Sequence, residues 1–317
     1  MFAPGARIGV AVSGGSDSMA LLLLLHALAS AAGWQLTVLH YDHAWRPDSA
    51  TDARFVAAVA RRLGWPLRRA RARAPLPQAD REQQARRARY AFFQRAAAAS
   101  GLACVATAHT ADDQAETVLL RLLRGTGPAG LAGILPRRSL ASGAATLLVR
   151  PLLWARRDEL RAWLLRHRQD WREDRTNQDL HPRRNRLRLQ FLPALAAAFN
   201  PALVRGLCDL AEIVRAEEEL WAAALARAFA RLWQPQAAGG RFPRADFAAL
   251  PLALRRRLVR EAVRAIQGDL RQVDFLAIEE VAEWAASAAR HPRLRRLGRV
   301  ECRVSARALD FAPELKL

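Results

Sequence analysis

Ile8-Gly9-Val10-Ala11-Val12 runs straight into Ser13-Gly14-Gly15-Ser16-Asp17-Ser18, and an apolar stretch over residues 19–28 follows. The spacing predicts a buried strand, a glycine-rich turn and a helix, an order that aims several backbone N–H groups at one spot where an anion can sit. The glycines permit positive φ and close approach of a ligand. The serine hydroxyls add donors, and the helix dipole favours negative charge. Asp17 is out of keeping with an anion nest, and either a metal ion held beside phosphates or capping of the helix N-terminus accounts for it. The run has neither the Gly-Lys-Ser/Thr of a Walker loop nor the GxGxxG spacing of a dinucleotide fold. A ligand-free turn is the competing reading, but the position between strand and helix is the context that a phosphate loop requires.

Working outward, further strands are expected over 35–41, 66–70, 103–107 and 146–150. Helices are expected over 49–63, 79–99, 111–123 and 156–168. Strands alternating with helices at this spacing give an α/β fold, a Rossmann-like parallel sheet covered on both faces. Ligands of such sheets bind at the carboxyl ends of the strands, where Ser13, Asp42 and His109 fall. Asn200-Pro201 is a natural boundary because proline starts helices and disfavours helix in the residue before it. Residues 1–200 are therefore read as the nucleotide domain and 201–317 as a smaller, mainly helical domain. Its alternating tail over 300–311 reads as strands.

The chain has 317 residues, 51% of them hydrophobic, enough for two cores. No apolar run is long enough to span a bilayer, and the first strand starts too early to leave room for a signal peptide. Cys104, Cys208 and Cys302 are far apart with no CxxC pair, so neither a disulfide framework nor a zinc or iron–sulfur site is expected. Together these features favour the cytoplasm. The net charge of +20 points to a polyanion partner bound in a salt-sensitive way. Of the 50 basic residues only Lys316 is a lysine, and the arginines cluster over 61–95, 183–188, 255–260 and 293–299.

Two further segments carry chemistry. His109-Thr110-Ala111-Asp112-Asp113-Gln114-Ala115-Glu116-Thr117 opens a helix at a strand end, with Asp113 and Glu116 on one face. Three acids and a histidine exceed what capping needs, so a bound cation is expected, Mg²⁺ or an ammonium group. Arg124-Gly125-Thr126-Gly127 offers an arginine to neutralise phosphate or leaving-group charge, or else a plain helix C-cap. Asp42, at the second strand end, is a candidate metal ligand or base. His43 beside it has a structural role as its alternative.

The loop resembles the SGGxDS signature of the ATP pyrophosphatases, which split ATP between its α and β phosphates and adenylate an oxygen. Further segments resemble the tRNA(Ile)-lysidine synthetase family: Gln84-Ala85-Arg86-Arg87-Ala88-Arg89-Tyr90, the stretch 109–117, Arg124-Gly125-Thr126-Gly127, Arg150-Pro151-Leu152-Leu153, Trp171-Arg172-Glu173-Asp174 with Thr176-Asn177, and Arg184-Asn185-Arg186-Leu187-Arg188. They cover most of residues 8–193 in the family's order, and the chain resembles the family's short form. The resemblance implies ATP on residues Ser13, Gly14, Gly15, Ser16, Asp17 and Ser18. It implies Mg²⁺ near Asp17, Asp42 and Asp112, and L-lysine on Asp113 and Glu116. Catalytic work would fall to Asp17, Asp42, His109, Asp113 and Arg124. A tRNA(Ile) with a CAU anticodon would lie against Arg86, Arg89, Arg184, Arg186 and Arg188. The implied reaction adenylates C2 of the wobble cytidine and joins lysine there, releasing AMP and pyrophosphate. A homodimer is left open. The family's usual glycine after the histidine is here Ala44. Two other readings stand beside this one: tRNA thiolation, which needs a sulfur-carrying cysteine, and a non-catalytic RNA-binding protein with a relic nucleotide fold.

Overall fold

The computed structural model describes residues 1–44, 49–72, 81–173, 179–287 and 291–314, with the backbone alone at 81 and 82. Asp174, Thr176 and Asn177 therefore lie outside the described residues, as do the first two residues of the helix expected over 79–99 and Lys316. The chain divides into two compact units, Met1–Arg215 and Ala216–Leu317.

In the first unit the order is β1 (Arg7–Ala11), α1 (Ser16–Ala32), β2 (Gln35–Asp42), α2 (Ser49–Arg62), β3 (Leu67–Arg71), α3 (Arg81–Ser100), β4 (Cys104–Ala106) and α4 (Ala111–Leu123). The short helix α5 (Pro128–Leu131), β5 (Arg137–Ser139), β6 (Leu147–Val149) and α6 (Arg157–Arg166) follow. Then come α7 (Arg183–Arg186), a π-helical turn (Leu187–Phe191), α8 (Leu192–Ala198) and the long helix α9 (Leu203–Leu232), within which the division between the units falls. The sheet order is β3-β2-β1-β4-β6-β5, parallel except for the edge strand β5. Strand β5, only three residues long with no buried position, carries no alternation by which the sequence could reveal it.

The chain winds one way through β1, β2 and β3 and the other way through β4 and β6, so the crevice beyond the carboxyl ends of β1 and β4 is the topological switch point. Gly9 lets the sheet pack here. A Cβ on it would sit 2.7 Å from Leu102 Cδ1 and 2.8 Å from Leu39 Cδ1. Ile8, Val10, Met19, Leu21, Leu22, Leu36 and Val38 fill the core between the sheet, α1 and α6. Phe92, Phe93, Leu102 and Leu148 fill the opposite face with α3.

The second unit has its own core. Helices α10 (Arg244–Ala248), α11 (Leu252–Gln267) and α12 (Phe275–Ala286) pack on an antiparallel sheet. Its strands are β7 (Gln234–Gln236), β8 (Gly239–Pro243), β9 (Arg293–Leu297), β10 (Val300–Val304) and β11 (Ala308–Pro313), in the order β7-β8-β11-β10-β9. The alternating tail thus forms β10 and β11. The sequence reading had no means of seeing β9, where arginines at 293, 295 and 296 mask the strand pattern. No single helix among the described residues is long and apolar enough to cross a membrane.

Candidate active site

A cavity of about 790 Å³ opens at the switch point, lined by described residues of the first unit, the earliest Ala11 and the last Leu189. The phosphate loop forms one part of its wall. Gly14 has φ +101°, open to glycine and strained for any other residue. The Gly14 carbonyl is held by Arg172 N–H (2.9 Å). Ser18 Oγ accepts from the amides of Ser13 and Gly14 (3.2 Å each) and donates to Gly15 O (2.9 Å), folding the loop over the helix start. Gly15 is the N-cap of α1 and supplies no side-chain cap. The first i→i−4 bond of that helix is Met19 N–H to Gly15 O, so the amides of Ser16, Asp17 and Ser18 precede the ladder and are available to an anion. Ser13, Gly15, Ser16, Asp17 and Ser18 all line the cavity.

A knot of acids and arginines forms another part. Thr110 caps α4, its Oγ1 accepting from Asp113 N–H (3.3 Å), while Asp113 Oδ2 accepts from Thr110 N–H (2.9 Å). This reciprocal cap turns Asp113 Oδ1 toward Arg184 Nη2 (3.1 Å) and Arg157 Nη2 (3.3 Å). Glu116, one turn on and 1% exposed, receives Arg184 Nε at 2.6 Å. Arg157 Nε also binds Asp17 Oδ2 at 3.0 Å, so one guanidinium joins the phosphate loop to α4. Burial works to raise the Asp113 carboxyl, but Arg184 and Arg157 outweigh it and hold it below the ordinary carboxylate value. For Glu116 burial wins, and its pKa is raised despite Arg184. Arg157 is driven the other way: burial lowers it, and Asp113 and Asp17 more than reverse that.

A further part of the wall carries Tyr41, His43, Arg89, Tyr90, Phe93 and His109. Tyr90 lies under the guanidiniums of Arg86 (5.1 Å), Arg138 (5.2 Å) and Arg89 (5.9 Å). Burial raises its phenol, but Arg86, Arg150 and Arg138 together bring it below the ordinary value. His43, edge-on to Tyr41 at 4.8 Å, is lowered to about 4 by burial and then by Arg89. His109, within 3.1 Å of Thr107 Oγ1, is lowered to about 3 by burial against the opposing pull of Asp113, with Arg150 and Arg184 adding to the lowering. Both imidazoles are therefore neutral near pH 7.

The structure brings together only part of the set expected from sequence. Asp17, His109, Asp113, Arg89, Arg184 and Arg188 line the cavity, whereas Asp42, Asp112, Glu116, Arg86, Arg124 and Arg186 do not. Asp42 is buried, accepting from Ala44 N–H (2.7 Å) and Ser49 Oγ (3.2 Å) and pairing with Arg71 (3.3 Å). Asp112 caps the neighbouring helix, accepting from Arg157 N–H (2.7 Å) and pairing with Arg156 (3.2 Å). Arg124 is the exposed C-cap of α4, and Arg121 instead anchors the following loop through Gly130 O and Gly133 O (2.8 Å each). Arg86 and Arg186 are exposed. Ala44 adopts φ +54°, the conformation that explains why glycine is expected there. Among the described residues no three His, Cys, Asp or Glu side chains gather as a metal cage. Mg²⁺ does not need one, since it is commonly held by one or two carboxylates and substrate phosphates, and Asp17 is the cavity-lining acid beside the loop. No cysteine lines the cavity, and burial raises Cys104 and Cys208 to about 11.

Sequence reasoning missed Arg157, the hub of the knot. A signal was present: an arginine in the first turn of a helix opposes the dipole and calls for acids against it. Tyr90 carries no signal in the sequence beyond its place at the end of the stretch 84–90.

A glycine loop at the switch point of a parallel sheet, over a cavity walled by arginines, defines the class: a nucleotide-binding α/β domain of the PP-loop kind. Residues 3–195 match the PP-loop domain family. The chain is 45% identical over 288 residues to the tRNA(Ile)-lysidine synthase of Solibacter usitatus (strain Ellin6076), an alignment covering 90% of this chain and 63% of the relative. It is 43% identical over 257 residues to that of Gloeobacter violaceus (strain ATCC 29082 / PCC 7421), covering 81% and 76%. This chain belongs to the tRNA(Ile)-lysidine synthase family. It spans about three fifths of the length of two curated relatives it matches, 63% of that from Solibacter usitatus and 61% of the tRNA(Ile)-lysidine synthase of Symbiobacterium thermophilum, to which it is 43% identical over 295 residues. A likeness in fold extends to the U34-tRNA thiolase NcsA from Methanococcus maripaludis with its [4Fe-4S] cluster, at a TM-score of 0.55 and 15% identity over 66% of this chain and 73% of that one.

Proposed function

We propose that this chain is a cytoplasmic ligase that joins L-lysine to C2 of the wobble cytidine in the CAU anticodon of tRNA(Ile), using ATP. The observation that carries the reading is the union, in one cavity, of a phosphate loop with an acid–arginine knot. ATP lies with its phosphates on the amides of Ser16, Asp17 and Ser18 and the hydroxyls of the loop. Mg²⁺ accompanying the nucleotide would be held by Asp17 and supply charge neutralisation at the phosphates. The cytidine, splayed from its loop, enters along the Tyr90 and Phe93 wall, where ring faces and Arg89 suit a base. Its C2 oxygen attacks the α phosphate and pyrophosphate leaves past Arg161 and Arg172. The lysine ε-ammonium is received by Asp113, with Glu116 behind it; once deprotonated, the amine attacks C2 and expels AMP. The ammonium's proton passes to solvent, since His109, lowered to about 3, is too weak a base to take it and serves as a neutral hydrogen-bonding group of the wall. Arg184, Arg186 and Arg188, with Arg86, grip the RNA backbone, and residues 201–317 are a tRNA-binding domain in their own right.

Thiolation draws no support from the cavity wall, which has no cysteine. The test is direct: purified protein, a CAU-anticodon tRNA(Ile) transcript, ATP, Mg²⁺ and labelled lysine should give lysine in the RNA. Incorporation that ignores the wobble cytidine, or none, overturns the proposal. Asp17→Ala should lower turnover by roughly two to three orders of magnitude.

A further inference from the structure

We infer that Arg184 makes acceptance of lysine conditional on bound tRNA, an inference that rests on reading Asp113 and Glu116 as the lysine site. Arg184 spans both acids, with Nε 2.6 Å from Glu116 and Nη2 3.1 Å from Asp113. It lines the cavity and Glu116 does not, so the guanidinium stands where an incoming ammonium must go. Asp17, Asp113 and Glu116 are already matched by three guanidiniums, Arg157, Arg184 and Arg188, the last with Nε 4.0 Å from Glu116 Oε1. A fourth cation would add uncompensated charge in a site of low dielectric, so one guanidinium has to leave first.

Arg188, 23% exposed, only reaches Glu116 at 4.0 Å, and the other two differ in how firmly they are held. Arg157 is 18% exposed and ties Asp17, Asp113 and Glu116 together from the first turn of α6. Arg184 is 44% exposed and sits on α7, whose sequence Arg183-Arg184-Asn185-Arg186 buries nothing. A segment with no buried anchor opens at small cost. The π-helical turn after it, a place where helical register changes, gives it a natural pivot. Guanidinium binds phosphate with two parallel hydrogen bonds, so an RNA backbone phosphate competes directly with the carboxylates for Arg184. A second observation marks the acids as a site short of a donor: buried Glu116 Oε1 makes no hydrogen bond among the described residues, its cations standing off at 3.8 Å (Arg157 Nη1) and 4.0 Å (Arg188 Nε). When a phosphate takes Arg184, the ammonium of lysine replaces it and fills that acceptor as well. Without RNA the lysine site stays shut by its own counter-ion.

Binding of labelled L-lysine to the full chain, by equilibrium dialysis without ATP, tests this. The CAU transcript should tighten lysine binding by roughly 5- to 150-fold, the usual range of coupling between sites, and saturating lysine should tighten transcript binding by the same factor. Arg184→Gln should bind lysine tightly without RNA and lose the coupling in both directions. Equal lysine affinity with and without transcript, in a protein that does form lysidine, overturns the inference, as does coupling that survives in Arg184→Gln. The reciprocity in the unsubstituted chain is decisive even if the variant fails to fold. Absence of both lysine binding and lysidine would instead bring down the lysine-site reading, and this inference with it.

Discussion

The phosphate loop and the acid–arginine knot share one cavity but are made of different material. The loop works through its backbone: a positive φ at Gly14, amides ahead of the first helical hydrogen bond, and Ser18 folding the turn. The knot works through side chains drawn from α1, α4, α6 and α7, held by ion pairs across 44 to 140 residues of sequence. The loop is therefore a local object and the knot a product of the whole fold. Substitutions should damage them in different ways.

The largest effect is expected at Arg157. Its removal leaves Asp17, Asp113 and Glu116 without their shared cation, and Arg157→Ala should cost about 3 kcal/mol, the low end for breaking a buried pair because the site is partly open. A urea midpoint near the parent's would show that the knot is not a unit. Acid should act on the same region next. The unfolded chain takes up protons on His43 and His109 below their ordinary value of 6.5, whereas the folded sites, at about 4 and about 3, refuse them. Stability held by these neutral imidazoles is complete above pH 6.5 and drains away as pH falls toward 4. Replacing both by glutamine should flatten that slope in urea titrations. On the loop side, Gly14→Ala forces a side chain onto φ +101° and should cost roughly 1–2 kcal/mol while weakening ATP binding, read by calorimetry with ATP. The smallest change should come at Ala44, where φ is +54°. Ala44→Gly relieves that strain at some cost in unfolded-state entropy and should raise the melting temperature by an amount equivalent to about 0.5–1 kcal/mol.

The same contrast explains what could be read before any coordinates. Strand, glycine turn and helix are neighbours in sequence, so the loop and the parallel sheet around it were legible from residues 8–28 and the alternation that follows. Asp17, Asp42 and Asp112 looked alike as acids near strand ends, but only Asp17 lines the cavity. Asp42 is spent on Arg71, Ser49 and the Ala44 amide, and Asp112 on the start of α6, by partners that no local pattern announces. Arg157 escaped notice for the same reason, its purpose being set by three acids distant in the chain. Strands β5 and β9 went unseen because edge positions rich in arginine carry no apolar period.

The adjoining carboxylates Asp112 and Asp113 have a mechanical consequence. One caps the first turn of α6 and the other the first turn of α4, and a single peptide unit separates them. They act as a set square between the two helices. The first turn of α6 is thereby pinned to the first turn of α4, so the wall that carries Arg157 and the wall that carries Asp113 share one anchor point.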